Sequence, residues 1–191
     1  MEQNRVIESV KYWLENTIIG FNFCPFAKKE FVNESIHYEV IDENNTQEQL
    51  FALSHELKRL DRQPDIETTL YILPVGLESF FDYLDFLELA NDLNIEMGYE
   101  GIYQLASFHP DYCFAEAKQN EPANYTNRSP VPIIHIIREA SLERVLEHYP
   151  DPEEIPVRNI QLAEEKGVQV FEDILKVCNN PTSAGKFHRP H

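Results

Sequence analysis

Between Gln104 and Glu139 two β-rich runs bracket a long loop punctuated by proline, and that pattern limits the folds open to the chain. The first run ends at His109, where Pro110 stops it; the second spans Ile133 to Arg138. Between them, residues 118–132 carry Pro122, Pro130 and Pro132 among Asn, Thr and Ser, the composition of a loop. Side chains alternate across a strand, so His109 shares a face with Ser107 and Leu105 while Phe108 and Ala106 point the other way. By the same rule His135 joins Ile133 and Ile137, and Arg138 faces the opposite side. Loops held by rigid strands are where chemistry is usually done.

The rest of the chain alternates between helical and extended patterns. Val6, Val10, Trp13, Leu14 and Ile18 recur at helical spacing and predict an amphipathic helix over 2–18. Pro25 predicts the first turn of a short helix with Cys24 at its N-cap. A strand is predicted from Ile36 to Ile41. Thr46 and Gln49 form a capping-box pattern ahead of a helix faced by Leu50, Leu53, Leu57 and Leu60. Thr68 to Val75 reads as a strand, and Glu78 to Leu93 as a helix with Phe80, Leu84, Leu87 and Ala90 inward and Asp82, Asp85, Glu88 and Asp92 in water. A short helix follows from Ser141 to about His148, then a helical region over 157–177 with a break at Gly167. The prediction is an α/β (α+β) single domain over 1–178, a roughly four-stranded mixed sheet flanked by helices, with 179–191 as a frayed tail.

Composition narrows the partners. Sixteen Lys and Arg against 33 Asp and Glu leave a net charge of −17, which speaks against nucleic acid and anionic membrane, both of which attract cationic surfaces. No window approaches the ~20 apolar residues of a membrane span. The first residues lack the basic head and apolar run of a signal peptide. Cys24, Cys113 and Cys178 form neither a disulfide framework nor a Cys-x-x-Cys pair. A cytoplasmic location with reduced thiols is therefore expected. No glycine-rich phosphate loop, nucleophile-elbow serine, His-Glu-x-x-His or clustered Cys/His zinc pattern occurs.

Several residues could carry chemistry. A cysteine at a helix N-cap feels the positive end of the helix dipole, and Lys28 and Lys29 would favour its thiolate further. Locally, Phe-Cys-Pro-Phe-Ala resembles the active-site turn of glutaredoxins and omega-class glutathione transferases. His109, at a strand end, suits acid–base work with Asp111 orienting its ring; the alternative is a His-Pro-Asp turn. His135, inside an apolar run, is either a hydrogen-bonded core residue or a ligand. Arg128, between Asn127 and Ser129, offers a planar fork for carboxylate or phosphate, or pairs with a structural acid. Tyr125 lies on the same loop.

Gly20 to Ala27, Phe108 to Tyr112, and Asn127 to Pro130 leading into His135 and Arg138 together resemble the family catalogued as domain of unknown function fourteen-fifteen. The resemblance runs in order along nearly the whole chain. It implies that Cys24, His109, Asp111, Asn127, Arg128, Ser129, Pro130, His135 and Arg138 occupy motif positions in a one-domain protein. It implies no reaction. Val131 stands where the related motif carries an aromatic residue.

Three functions follow. The first is an enzyme acting on a small anionic metabolite, with Cys24 as nucleophile or redox thiol, His109 as acid or base and Asp111 as its orienting group. Arg128 and Arg138 would grip the anion, with Asn127, Ser129 and Tyr125 around it. The second is a zinc or iron site built from Cys24, His109 and His135. The third is an acidic module that docks a basic partner. The first requires Cys24, His109 and Arg128 to open into one cavity.

Overall fold

The computed structural model describes residues 2–147 and 149–179; the expected frayed tail lies almost wholly outside them, as does the predicted end of one helix at His148. Four strands form one mixed sheet in the order β1-β2-β4-β3, with β1 at Ile36–Val40, β2 at Thr68–Ile72, β3 at Tyr103–Phe108 and β4 at Ile133–Arg138. β1 and β2 run parallel, joined by the crossover helix α3 (Thr46–Arg62). β4 inserts between β2 and β3, antiparallel to both. The architecture is the expected α/β sheet flanked by helices.

Alternation along the strands splits the interior into two apolar layers. On one face Leu70, Ile72 and Ile133 meet Val10, Trp13, Leu14 and Ile18 from α1 (Glu2–Trp13) and the π-helical turn Leu14–Ile19 that continues it. Phe23, Ala27, Ala163 and Phe171 complete that layer from α2 (Ala27–Val32), its approach, α6 (Ile155–Lys166) and α7 (Val168–Asn179). On the other face Tyr71, Leu73, Ile134 and Ile136 meet Leu53, Leu57 and Leu60 of α3 and Tyr83, Phe86 and Ala90 of α4 (Phe80–Glu96). The helix α5 (Glu139–Leu146) leaves directly from β4.

Two local expectations are corrected. The cap of α3 is Asn45, whose side chain accepts from the N–H groups of Gln47 and Glu48; Gln49 instead donates to the carbonyls of Glu43 and Val75. α4 is rotated relative to the expected apolar face, with Tyr83, Phe86 and Ala90 inward and Leu84 exposed. Polar groups fix that rotation: the Tyr83 hydroxyl donates to the Ile133 carbonyl, and Asn94 donates to that of Tyr103. The break between α6 and α7 falls at Gly167, at φ 73°, where a Cβ would be strained.

Candidate functional site

Cys24 sits in a short connection between the π-helical turn and α2, and its surroundings explain why that connection is fixed. Gly20 closes the turn in helical geometry, with no room for a side chain, because a Cβ would lie 2.6 Å from the Asn16 carbonyl oxygen. From α6, Arg158 donates to the Asn22 carbonyl at 2.6 Å and Asn159 to the Phe23 carbonyl at 2.7 Å. α2 begins at Ala27, later than expected, but the backbone N–H groups of Phe26 and Ala27 still favour the thiolate. Burial outweighs them and pushes the thiol above its ordinary value. The expected help from Lys28 and Lys29 is small, since both side chains stand in solvent.

Two hollows meet at this thiol. An open cleft of about 290 Å³ is lined by Cys24, Ile18, Phe108 and Asn127, with Asn159 and Ile160 of α6 across from them. Behind it a smaller cavity of about 40 Å³ is walled by Cys24, Ile18 and Phe108 again, and by Trp13, Glu30 and His135. That volume exceeds what one water molecule needs.

His135 has a defined tautomer. Its Nε2 lies 2.7 Å from the Thr68 hydroxyl, and that hydroxyl donates its own proton to the Ile136 carbonyl at 2.6 Å. The imidazole must therefore donate through Nε2, which leaves Nδ1 with a free lone pair. Burial lowers its pKa to about 4, so the ring is neutral near pH 7. Glu30 is almost fully buried; one carboxylate oxygen accepts from Ser35 at 2.6 Å, while the other has no hydrogen bond and only the exposed Lys29 ammonium 3.4 Å away. Neither Glu30 nor Thr68 stands out in the sequence. The meeting of Thr68 with His135 depends on β2 lying beside β4, which strand order decides.

A model of the protein family described as of unknown function, DUF1415, matches residues 5–173. The chain belongs to that family. No curated protein and no solved structure matches it. In this member the residues singled out from the sequence divide between the two faces of the sheet rather than meeting at one site.

His109 lies on the α4 face, fully buried against the rings of Phe80 and Tyr83. Its Nδ1 accepts from the Asp111 backbone N–H at 3.0 Å, and its Nε2 donates to the Leu77 carbonyl at 3.0 Å. Both nitrogens are engaged and burial lowers its pKa, so it holds a turn as a neutral ring. The Asp111 side chain is exposed, and its backbone, not its carboxylate, meets the imidazole.

The arginines are committed too. Arg128 donates to the carbonyls of Tyr112 and Gln119 and to the Gln119 side chain, with its guanidinium over the Tyr125 ring. Arg138 donates to the carbonyls of Leu60, Gln63 and Ile66 and to the Tyr103 hydroxyl. Ser129 is buried, bonded to the Val131 carbonyl, and Tyr125 is buried and stacked on Phe171. Of these residues Asn127 lines the Cys24 cleft, beside Thr126 and Phe114; its amide donates to the Ser107 carbonyl. The ligand set Cys24, His109 and His135 is likewise not assembled, because the sheet stands between the two imidazoles.

Proposed function

We propose that this chain is an enzyme in which the Cys24 thiol attacks a small molecule held in the outer cleft, with His135 as the proton acceptor. What supports this most is one contiguity: Cys24 lines both the open cleft and the inner cavity onto which His135 opens. The pair rests neutral. Burial raises the thiol and holds the imidazole near 4, so a preformed thiolate–imidazolium pair is disfavoured at rest. As the sulfur attacks an electrophilic carbon, the S–H proton passes to Nδ1, directly or through one water. The new S–C bond displaces a leaving group that departs with the electron pair of its bond, as chloride does from chloroacetamide.

The substrate class shifts with this arrangement. The cleft offers apolar walls and the amides of Asn127 and Asn159, while the two expected anion anchors are committed to carbonyl groups. A small uncharged electrophile suits it better than an anionic metabolite. Chloroacetamide, read by mass spectrometry, is the test. Labelling of Cys24 should saturate with reagent concentration and fall about 100-fold or more in His135→Gln, within the range for loss of a general base. Labelling that rises linearly with reagent and is untouched by His135→Gln would remove the proposal.

A further inference from the structure

On the α3 face of the sheet, remote from Cys24, a second group of ionisable side chains meets. His37 and Glu39 are two residues apart on β1 and therefore project together, and Glu56 reaches them from α3. One ligand-capable atom from each lies within 4.8 Å of the others. Glu56 is buried, and its Oε2 has no hydrogen-bond partner. It lies 3.6 Å from His37 Nε2, too far for a hydrogen bond.

Arg59 is the resident cation, and it leaves the group unsatisfied. Its Nε meets Glu56 Oε1 at 3.0 Å, its Nη1 lies 3.1 Å from His37 Nε2, and its Nη2 is 3.6 Å from Glu39 Oε2. The same Nε2 is 2.9 Å from Glu39 Oε2. If Nε2 carries a proton, it serves Glu39 and confronts an arginine N–H; if it does not, it serves Arg59 and confronts a carboxylate lone pair. No protonation state satisfies both contacts. Two carboxylates share one guanidinium, and burial raises the Glu56 carboxyl above its ordinary value, so the resident arginine holds the pair poorly.

We propose that His37, Glu39 and Glu56 form a binding site for a divalent transition-metal cation, with Arg59 swinging outward as the metal enters. One imidazole nitrogen and two carboxylate oxygens suit zinc, manganese, iron or cobalt better than calcium or magnesium. A cation at their focus turns the conflicting lone pair on Nε2 into a ligand and gives Glu56 Oε2 the partner it lacks. His37 and Glu39 are part-exposed, at 24% and 30% for their side chains, so an ion can enter from solvent. The Arg59 side chain is 34% exposed on a flexible stem, free to move into solvent.

Cobalt(II) titration of the full chain, followed by calorimetry and visible absorption, tests this. One equivalent should bind, with bands of nitrogen and oxygen ligation and no thiolate charge-transfer band. Loss of supporting contacts around a metal weakens binding 10- to 100-fold, so loss of a ligand in His37→Gln or Glu39→Gln should weaken it about 100-fold or more. Both positions are part-exposed, and circular dichroism confirms that the variants fold. Cys24→Ala should bind as the native chain does. Absence of stoichiometric binding, affinity unchanged in both variants, or binding lost with Cys24 would each overturn the proposal.

Discussion

His135 and His109 show how one residue type takes different properties from its surroundings. Both are neutral, but His109 has both nitrogens tied to backbone groups, whereas His135 keeps Nδ1 free beside a cavity. The low pKa of His135 has a consequence for stability. Its folded value of about 4 lies below the ordinary 6.5, so between those values the unfolded chain binds the extra proton. Stability therefore falls as pH drops from about 6.5 to 4 and is not regained below that. The contribution is about 3 kcal/mol. Urea denaturation of the native chain and His135→Gln at pH 7 and pH 4 isolates it: the native chain should lose about 3 kcal/mol more than the variant, and equal losses would contradict the assigned burial.

At the scale of elements, the arginines that looked like anion anchors act as clamps. Arg138 ties the end of β4 to the C-terminus of α3 and the turn after it, through the Leu60 and Ile66 carbonyls. Lysine carries the charge without the planar fork. Arg138→Lys should therefore cost about 2 kcal/mol in a urea melt, with the chloroacetamide labelling of Cys24 unchanged. Alternation alone placed Arg138 opposite His135, and helical spacing placed Leu53, Leu57 and Leu60 inward. What could not be read was which helix covers which face, since that depends on strand order and crossover. The commitments of Arg128 and His109 to distant carbonyls were equally out of reach. The His37, Glu39 and Glu56 group was only half legible: His37 and Glu39 share a strand face and Glu56 lies on the stripe marked by Leu53, Leu57 and Leu60, but their meeting depends on the face α3 covers.

For the molecule as a whole, the sheet acts as a partition. One face carries the thiol, the free imidazole nitrogen and the cleft; the other carries His109, the arginine clamp and the His37 cluster. Among the described residues no helix is long and apolar enough to cross a membrane. The surface acids of α4 are solvated, as their spacing predicted. Ring-nitrogen NMR of the native chain and of Cys24→Ser tests this partition most directly. The signals of His135 should shift, in the pattern of an Nε2-protonated ring, while those of His109 stay in place. A shift of His109 with His135 unmoved would contradict it.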